Sequence, residues 1–279
     1  QSSIEVLPLQ KTTLKDSMIK AVFFDIDGTL VPFGAPGIPK EVSDAIARMR
    51  RNGTKVFIAT GRHPSWIDNL GDTEFDGYVA VNGGMCLFSD KSTCIFCSPI
   101  DQSDIRRLTC CDVVGRYPFA VVPRDGGIFL TGINRTVEDI LDMLSIPPVP
   151  VCPIDEALHQ EIVQLMMFST EREREESGVM NDTLTHCVAT AWHPDFCDII
   201  PQCNDKSLGI DRMLEWFGIP LEEAMAFGDG GNDIGMLRHV GVGIAMGNAS
   251  QDVKAAADYV TSDVTDHGVV NALTHFGLL

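Results

Sequence analysis

The stretch from Ile19 to Ile26 reads as a continuous apolar strand that ends in acids, the pattern of a strand buried on both faces. Residues 39–51 follow with helical spacing, Pro39 at the first turn and Gly53 beyond the end. Lys55 to Ala59 is a second buried strand, Pro64 to Leu70 reads as a helix, and Tyr78 to Val81 as a third strand. Strands that alternate with helices in this way predict a parallel sheet with helices on both faces. After Gly83 the texture changes. Strand patterns at 85–96, 119–122, 128–131, 162–168 and 184–192 interleave with helical patterns at 103–111, 137–144 and 171–179. The first rhythm then resumes: helix 207–217, strand 224–227, helix 232–238, strand 242–245 and helix 250–256. The predicted fold is α/β, a doubly wound parallel sheet with an inserted α+β domain. The core is discontinuous, 18–82 and 203–279, the insert spans 83–202, and residues 1–17 are a polar leader set aside from the fold.

Composition narrows the function classes. The 279 residues are 44% hydrophobic and 22% charged, enough to bury a sizeable core. With 21 Lys and Arg against 39 Asp and Glu, the net charge is −18, which repels polyanions and makes nucleic acid an unexpected partner. No apolar run approaches the ~20 residues that span a bilayer, and the N-terminal stretch lacks a secretory h-region. A cytoplasmic protein without a membrane partner is therefore expected. Nine cysteines, an odd number scattered without a secretion signal, favour reduced thiols. Cys94 and Cys97 form a C-x-x-C, but strand periodicity sends positions three apart to opposite faces, so neither metal nor redox work is expected of them.

Ligands of an open parallel sheet bind beyond the carboxyl ends of its strands. The polar residues there are Asp25 and Asp27 in DIDGT, Thr60 in ATGR, Asn82 in VNGG, and Asp229, Asn232 and Asp233 in GDGGND. Asp25 and Asp27 are two apart and share a face of an extended backbone. Gly28 then turns the chain so that backbone N–H groups can meet phosphate oxygens. Such oxygen donors suit Mg²⁺, with Asp25 and Asp229 as direct ligands, Asp27 through its carbonyl and Asp233 through water. Thr60, with Gly61, is placed to hydrogen-bond a phosphoryl group, and Lys206 at a helix start can neutralise both nucleophile and phosphate. Each piece alone is ordinary: a lone D-x-D is usually a turn or cap, and Lys206 could be a solvated helix residue. Four in this order, each beside a strand end, point to phosphoryl transfer. The glycines at 241, 243 and 247 have the wrong spacing for a dinucleotide fingerprint. Of the seven histidines, only His63, just past Arg62, borders the expected cleft.

These motifs resemble the haloacid dehalogenase superfamily, in its cap-bearing Cof-type sugar phosphatase branch. D25-I-D-G-T29 is similar to the first motif, Thr60 in ATGR to the second, Lys206 to the third and G228-D-G-G-N-D233 to the fourth. A245-M-G-N-A249, Lys254, Ala257-Asp258 and H267-G-V269 also look like that branch. Ser207, where relatives commonly carry glycine, and the cysteine-rich insert depart from it. The resemblance implies a Rossmann-like core under a cap, and a magnesium-dependent phosphatase of small phosphorylated metabolites, hexose phosphates foremost. It also implies Asp25 as nucleophile forming an aspartyl phosphate, Asp27 as acid and base, and Asn232 as a phosphate ligand. Arg62, Asn82 and Asp198 are candidate substrate contacts. The alternatives are a phosphomutase or phosphotransferase with the same nucleophile, and a phosphoacceptor signalling module.

Overall fold

A computed structural model of the chain describes residues 18–143 and 148–279; the predicted leader lies outside them. The first segment runs β1 (Ala21–Phe24), α1 (Lys40–Arg51), β2 (Lys55–Ala59), β3 (Gly77–Ala80), β4 (Met85–Phe88) and β5 (Cys94–Cys97). The second runs α2 (Gln102–Thr109), α3 (Val113–Arg116), β6 (Phe119–Pro123), β7 (Phe129–Leu130), α4 (Arg135–Met143), β8 (Ile162–Met167), α5 (Glu171–Ser177), β9 (Cys187–His193) and β10 (Phe196–Pro201). The chain then returns through α6 (Lys206–Phe217), β11 (Ala224–Gly228), α7 (Ile234–His239), β12 (Val242–Ala245), α8 (Gln251–Ala256), β13 (Tyr259–Val260) and α9 (Gly268–His275).

Eight strands form the first sheet in the order β13-β12-β11-β1-β2-β3-β4-β5. It is parallel from β13 to β3, and β4 and β5 add antiparallel strands at one edge. Alternation along β1 explains why helices cover both faces. Val22 and Phe24 pack into one apolar cluster with Ile46 and Met49 of α1 and Leu273 of α9. Ala21 and Phe23 face the other way, onto Ile210 and Met213 of α6 and Leu237 of α7. All four β1 side chains are fully buried, and each phenylalanine withdrawn from water contributes about 1.5–3 kcal/mol. Helix α1 meets the sheet because Val42, Ala45, Ile46 and Met49 recur at helical spacing on its inner side.

The second sheet is antiparallel, in the order β7-β6-β8-β10-β9. On one face Phe119, Val121, Leu165 and Met167 pack on Ile105 and Leu108 of α2. Ala120 and Met166, on the opposite face, pack with Val137 and Ile140 of α4. The two sheets meet where Val122 and Val163 join the apolar cluster that holds Ile67 and Leu70. Beside that contact, Gly126 in the β6–β7 turn lies against His63 and Ser65.

Several expected elements differ. The hairpin over 85–97, expected in the insert, hydrogen-bonds to the first sheet, so the second sheet begins only at Phe119. The helix expected over 64–70 is a single 3₁₀ turn, Pro64–Trp66, because Ile67 leaves the helical region. Strands β10 and β13 and helix α9 appear where none was expected. The helix expected over 137–144 is α4, with residue 144 outside the described residues. A register shift in the β4–β5 pairing marks a bulge, so that Ile95 and Phe96 pack on one face of the sheet while Cys94 and Cys97 both pack on the other. The periodicity argument that separated the two cysteines therefore fails.

Candidate active site

Topology sets the site. From β1 the chain winds outward through β2 and β3 on one side and through β11, β12 and β13 on the other, so the strand order reverses between β1 and β11. A crevice opens at such a reversal, beyond the carboxyl ends of the strands. Asp25 follows β1 and Asp229 follows β11, with Phe24 opposite Phe227 in register. Asp25 is tied across that pair by its own N–H, which donates to the Phe227 carbonyl at 3.0 Å.

One carboxylate oxygen each from Asp25, Asp229 and Asp233 fall within 4.8 Å of one another. Lys206, the first residue of α6 and only 1% exposed, sends Nζ to Oδ1 of Asp25 and Oδ1 of Asp233, both at 2.6 Å. Asp205 starts that helix by accepting from the Leu208 N–H, which holds the lysine in place. The second oxygen of Asp233 accepts from the backbone N–H groups of Asp229 and Gly230. Asp233 thus closes the GDGGND loop on itself and orients the lysine, with both of its oxygens engaged by protein donors.

Asp229 is held by two residues that sequence reasoning gave no role. Thr29 Oγ1 donates to its Oδ1 at 2.8 Å, and Asn248 Nδ2 donates to its Oδ2 at 3.2 Å and to the Gly28 carbonyl at 2.9 Å. Asn248 lies three residues beyond β12, so the strand-end rule that selected the other acids extends to it. Gly28 is required here: its φ is +82°, and a Cβ would sit 2.2 Å from Asp229 Oδ2.

A second network adjoins the first. Arg62 grips Asp27 in a fork, Nε to Oδ2 at 2.9 Å and Nη2 to Oδ1 at 2.6 Å, while Nη1 donates to the Trp66 carbonyl. Thr60, buried at the end of β2, accepts at Oγ1 from the Arg62 N–H. Gly61 lies against the Asn82 amide, and Asn82 Oδ1 accepts from Asn232 Nδ2 at 3.0 Å. The structure thus gathers Asp25, Asp27, Gly28, Thr60, Gly61, Arg62, Asn82, Lys206, Asp229, Asn232 and Asp233 at one end of the first sheet. Asp198 belongs to the other sheet, mid-strand in β10, where Gln164 Nε2 donates to its Oδ1 at 2.7 Å.

The charges do not balance. With all three carboxylates ionised, Asp25, Asp229 and Asp233 supply −3 and Lys206 supplies +1, leaving −2 in the crevice, while Asp27 and Arg62 cancel. Burial pushes the Asp25 carboxyl up to about 8, opposed by Lys206 and reinforced by Asp233 and Asp229. Burial lifts Asp229 to about 6, against the pull of the Thr29 hydrogen bond. Burial alone would lower the Lys206 pKa, but the Asp233 and Asp25 carboxylates outweigh it and hold the ammonium charged. Hard oxygen donors with a surplus of two negative charges fit a divalent cation.

A family model for haloacid dehalogenase-like hydrolases matches residues 22–273. The chain belongs to the haloacid dehalogenase-like hydrolase family. YkrA of Bacillus subtilis strain 168, provisionally named a phosphatase, is 30% identical over 266 residues, covering 93% of this chain and 98% of that protein. The solved structure of the HAD subclass IIB sugar phosphatase BT4131 is 38% identical, with a TM-score of 0.82 over 93% of this chain and 100% of that one. The HAD phosphatase BT1666 of Bacteroides thetaiotaomicron is 32% identical, with a TM-score of 0.86 over 99% and 100%. The chain is accordingly a HAD-type phosphatase. Its strand-end acids, Lys206 and the second sheet occupy a HAD fold along nearly the whole described length.

Proposed function

We propose that this HAD phosphatase hydrolyses small phosphomonoesters, hexose phosphates foremost, by way of an aspartyl phosphate on Asp25 and with Mg²⁺ as cofactor. The observation that carries the reading is the placement of Asp25 between the Lys206 ammonium and the Asp229 carboxylate, in a crevice with a surplus charge of −2. Asp25, Asp229 and the Asp27 carbonyl would hold the ion, with Asp233 acting through water. Bound there, Mg²⁺ screens the repulsion between a carboxylate nucleophile and a phosphate dianion.

The residues divide the work. An Asp25 oxygen forms a bond to phosphorus as the ester P–O bond breaks, and Asp27 gives its proton to the departing alkoxide. Water then attacks phosphorus, passes a proton to Asp27, and frees phosphate with Asp25 restored. Both Asp27 oxygens accept from Arg62, so one of those bonds gives way whenever Asp27 carries the proton. Lys206 offsets charge on the nucleophile and the phosphoryl group, while Thr60, Gly61 and Asn232 provide phosphate donors; the Gly28 N–H, expected among them, is already committed to the Val31 carbonyl at 2.9 Å. The second sheet acts as the cap that selects the leaving group. The assignment of BT4131 as a sugar phosphatase supports hexose phosphates as the leading substrate class.

A phosphomonoester screen with Mg²⁺, ranked by kcat/KM, tests the reading together with Asp25→Asn. The substitution should reduce turnover on the order of 10³-fold or more while the circular dichroism spectrum and Tm persist. Wild-type turnover by a clean Asp25→Asn preparation would remove the nucleophile from the scheme.

A further inference from the structure

The segment after β3 holds three consecutive residues at positive φ: Val81, Asn82 and Gly83, with φ of 52°, 49° and 89°. A β-branched valine at positive φ is an outlier, and such a conformation persists only where its surroundings over-determine it. Here they do so from three sides. The Val81 N–H donates to the Arg62 carbonyl and the Asn82 N–H to the Thr60 carbonyl, both at 3.1 Å. Gly83 lies so close to the start of α6 that a Cβ would meet the Asp205 carbonyl at 1.7 Å. The side chain of Asn82, 8% exposed, presents its Oδ1 to Asn232. One strained turn thus touches the Thr60 loop, the helix that begins with Lys206, and the GDGGND loop.

We infer that Asn82 is a positioning residue of the phosphoryl pocket: its Oδ1 fixes one N–H of the Asn232 amide, and thereby aims the other at the phosphoryl group. The inference rests on the proposed role of Asn232 as a phosphate ligand. Its physical basis is that a carboxamide NH₂ is planar, with two donors in a fixed relation. Once one of them is committed to Asn82, the second has a single direction left. Without that partner the Asn232 side chain rotates, and its donor is no longer preorganised for the charge that develops in transfer. The left-handed backbone is what brings Asn82 within reach, and asparagine tolerates it better than most residues.

Asn82→Gly separates the side chain from the strain, because glycine accepts positive φ and removes only the amide. Two measurements at saturating Mg²⁺ read the effect: kcat and KM for the best substrate, and the affinity for inorganic phosphate by calorimetry. About a tenfold loss in each is expected for Asn82→Gly and for Asn232→Ala, with Tm retained. The double mutant should be no worse than either single mutant, because both remove the same aimed donor. Wild-type phosphate affinity in Asn82→Gly, or a double mutant that loses the product of the two effects, would overturn the inference. The two readings fail separately. Coupled phosphate binding without turnover of any ester would sink the hydrolase reading and leave this one standing; turnover with additive losses would do the reverse.

Discussion

Lys206 is the residue on which the site depends most. Its ammonium is the cation that contacts both Asp25 and Asp233, and all three groups are withdrawn from water. Removing one partner of a buried ion pair typically costs about 3–5 kcal/mol, because the remaining charge has no compensation. Lys206→Met should therefore lose about that much stability in urea titrations without metal, and recover part of it on addition of Mg²⁺. Thr29 and Asn248 act a step further out by orienting Asp229. Partners of this kind are worth about 10–100-fold in metal affinity. For Asn248→Ala the Mg²⁺ concentration giving half-maximal activity should rise about tenfold, with little change in rate at saturation. The sign of the pH dependence follows from the raised carboxyls. Asp25, lifted to about 8, and Asp229, to about 6, must shed protons to bind a cation. Mg²⁺ affinity should therefore fall steadily as pH is lowered from 8 to 6, with proton release on binding, both measurable by calorimetry in buffers of different ionisation enthalpy. These acids were legible in sequence because each directly follows a buried strand. Thr29 and Asn248 were passed over, since their hold on Asp229 appears only once β1, β11 and β12 are side by side.

At the scale of elements, the sequence was legible where one force dominated. The buried parallel strands read clearly because burial on both faces leaves unbroken apolar runs. It was misleading where local and tertiary forces compete. The polar turn after β2 looked helical, and His63 does cap its start by accepting from the Ser65 N–H, but Ile67 leaves the helical region and ends it after one turn. The C-x-x-C looked split across faces because strand periodicity cannot anticipate a bulge. Helix α9 carries Val269, Ala272 and Leu273 on its buried side, a helical spacing that was present but short. The contact between the β6–β7 turn and the His63 turn brings the two sheets together, and it has a pH signature. Burial lowers the His63 pKa below its ordinary 6.5, only partly offset by its hydrogen bond to the Arg124 carbonyl and by Asp125. The folded state thus favours the neutral ring, and the unfolded chain binds more protons. The stability from this histidine is complete above about 6.5 and is lost as pH falls below that value. Thermal melts between pH 8 and 5.5 should show a decline that His63→Asn reduces.

Across the whole molecule, the net charge of −18 works against the site it surrounds. A phosphomonoester, the proposed substrate, approaches as a dianion, and the surface acids repel it within roughly a Debye length, about 8–10 Å at physiological salt and about 30 Å at 10 mM. With the proposed divalent ion offsetting the −2 of the ionised crevice, capture would be decided at short range by Lys206 and that ion, and encounter slowed by the acids farther out. Salt separates the two. Raising ionic strength from about 10 to 150 mM screens the distant acids far more than the buried groups. With Mg²⁺ held saturating at every point, kcat/KM for a dianionic ester should rise about two- to threefold through a lower KM, while kcat stays level. The same titration with a singly charged phosphodiester as a competitive inhibitor should show about half the slope in log Ki, because the work against the field scales with ligand charge. An unchanged or falling kcat/KM would mean that the acidic residues are distributed away from the approach to the crevice.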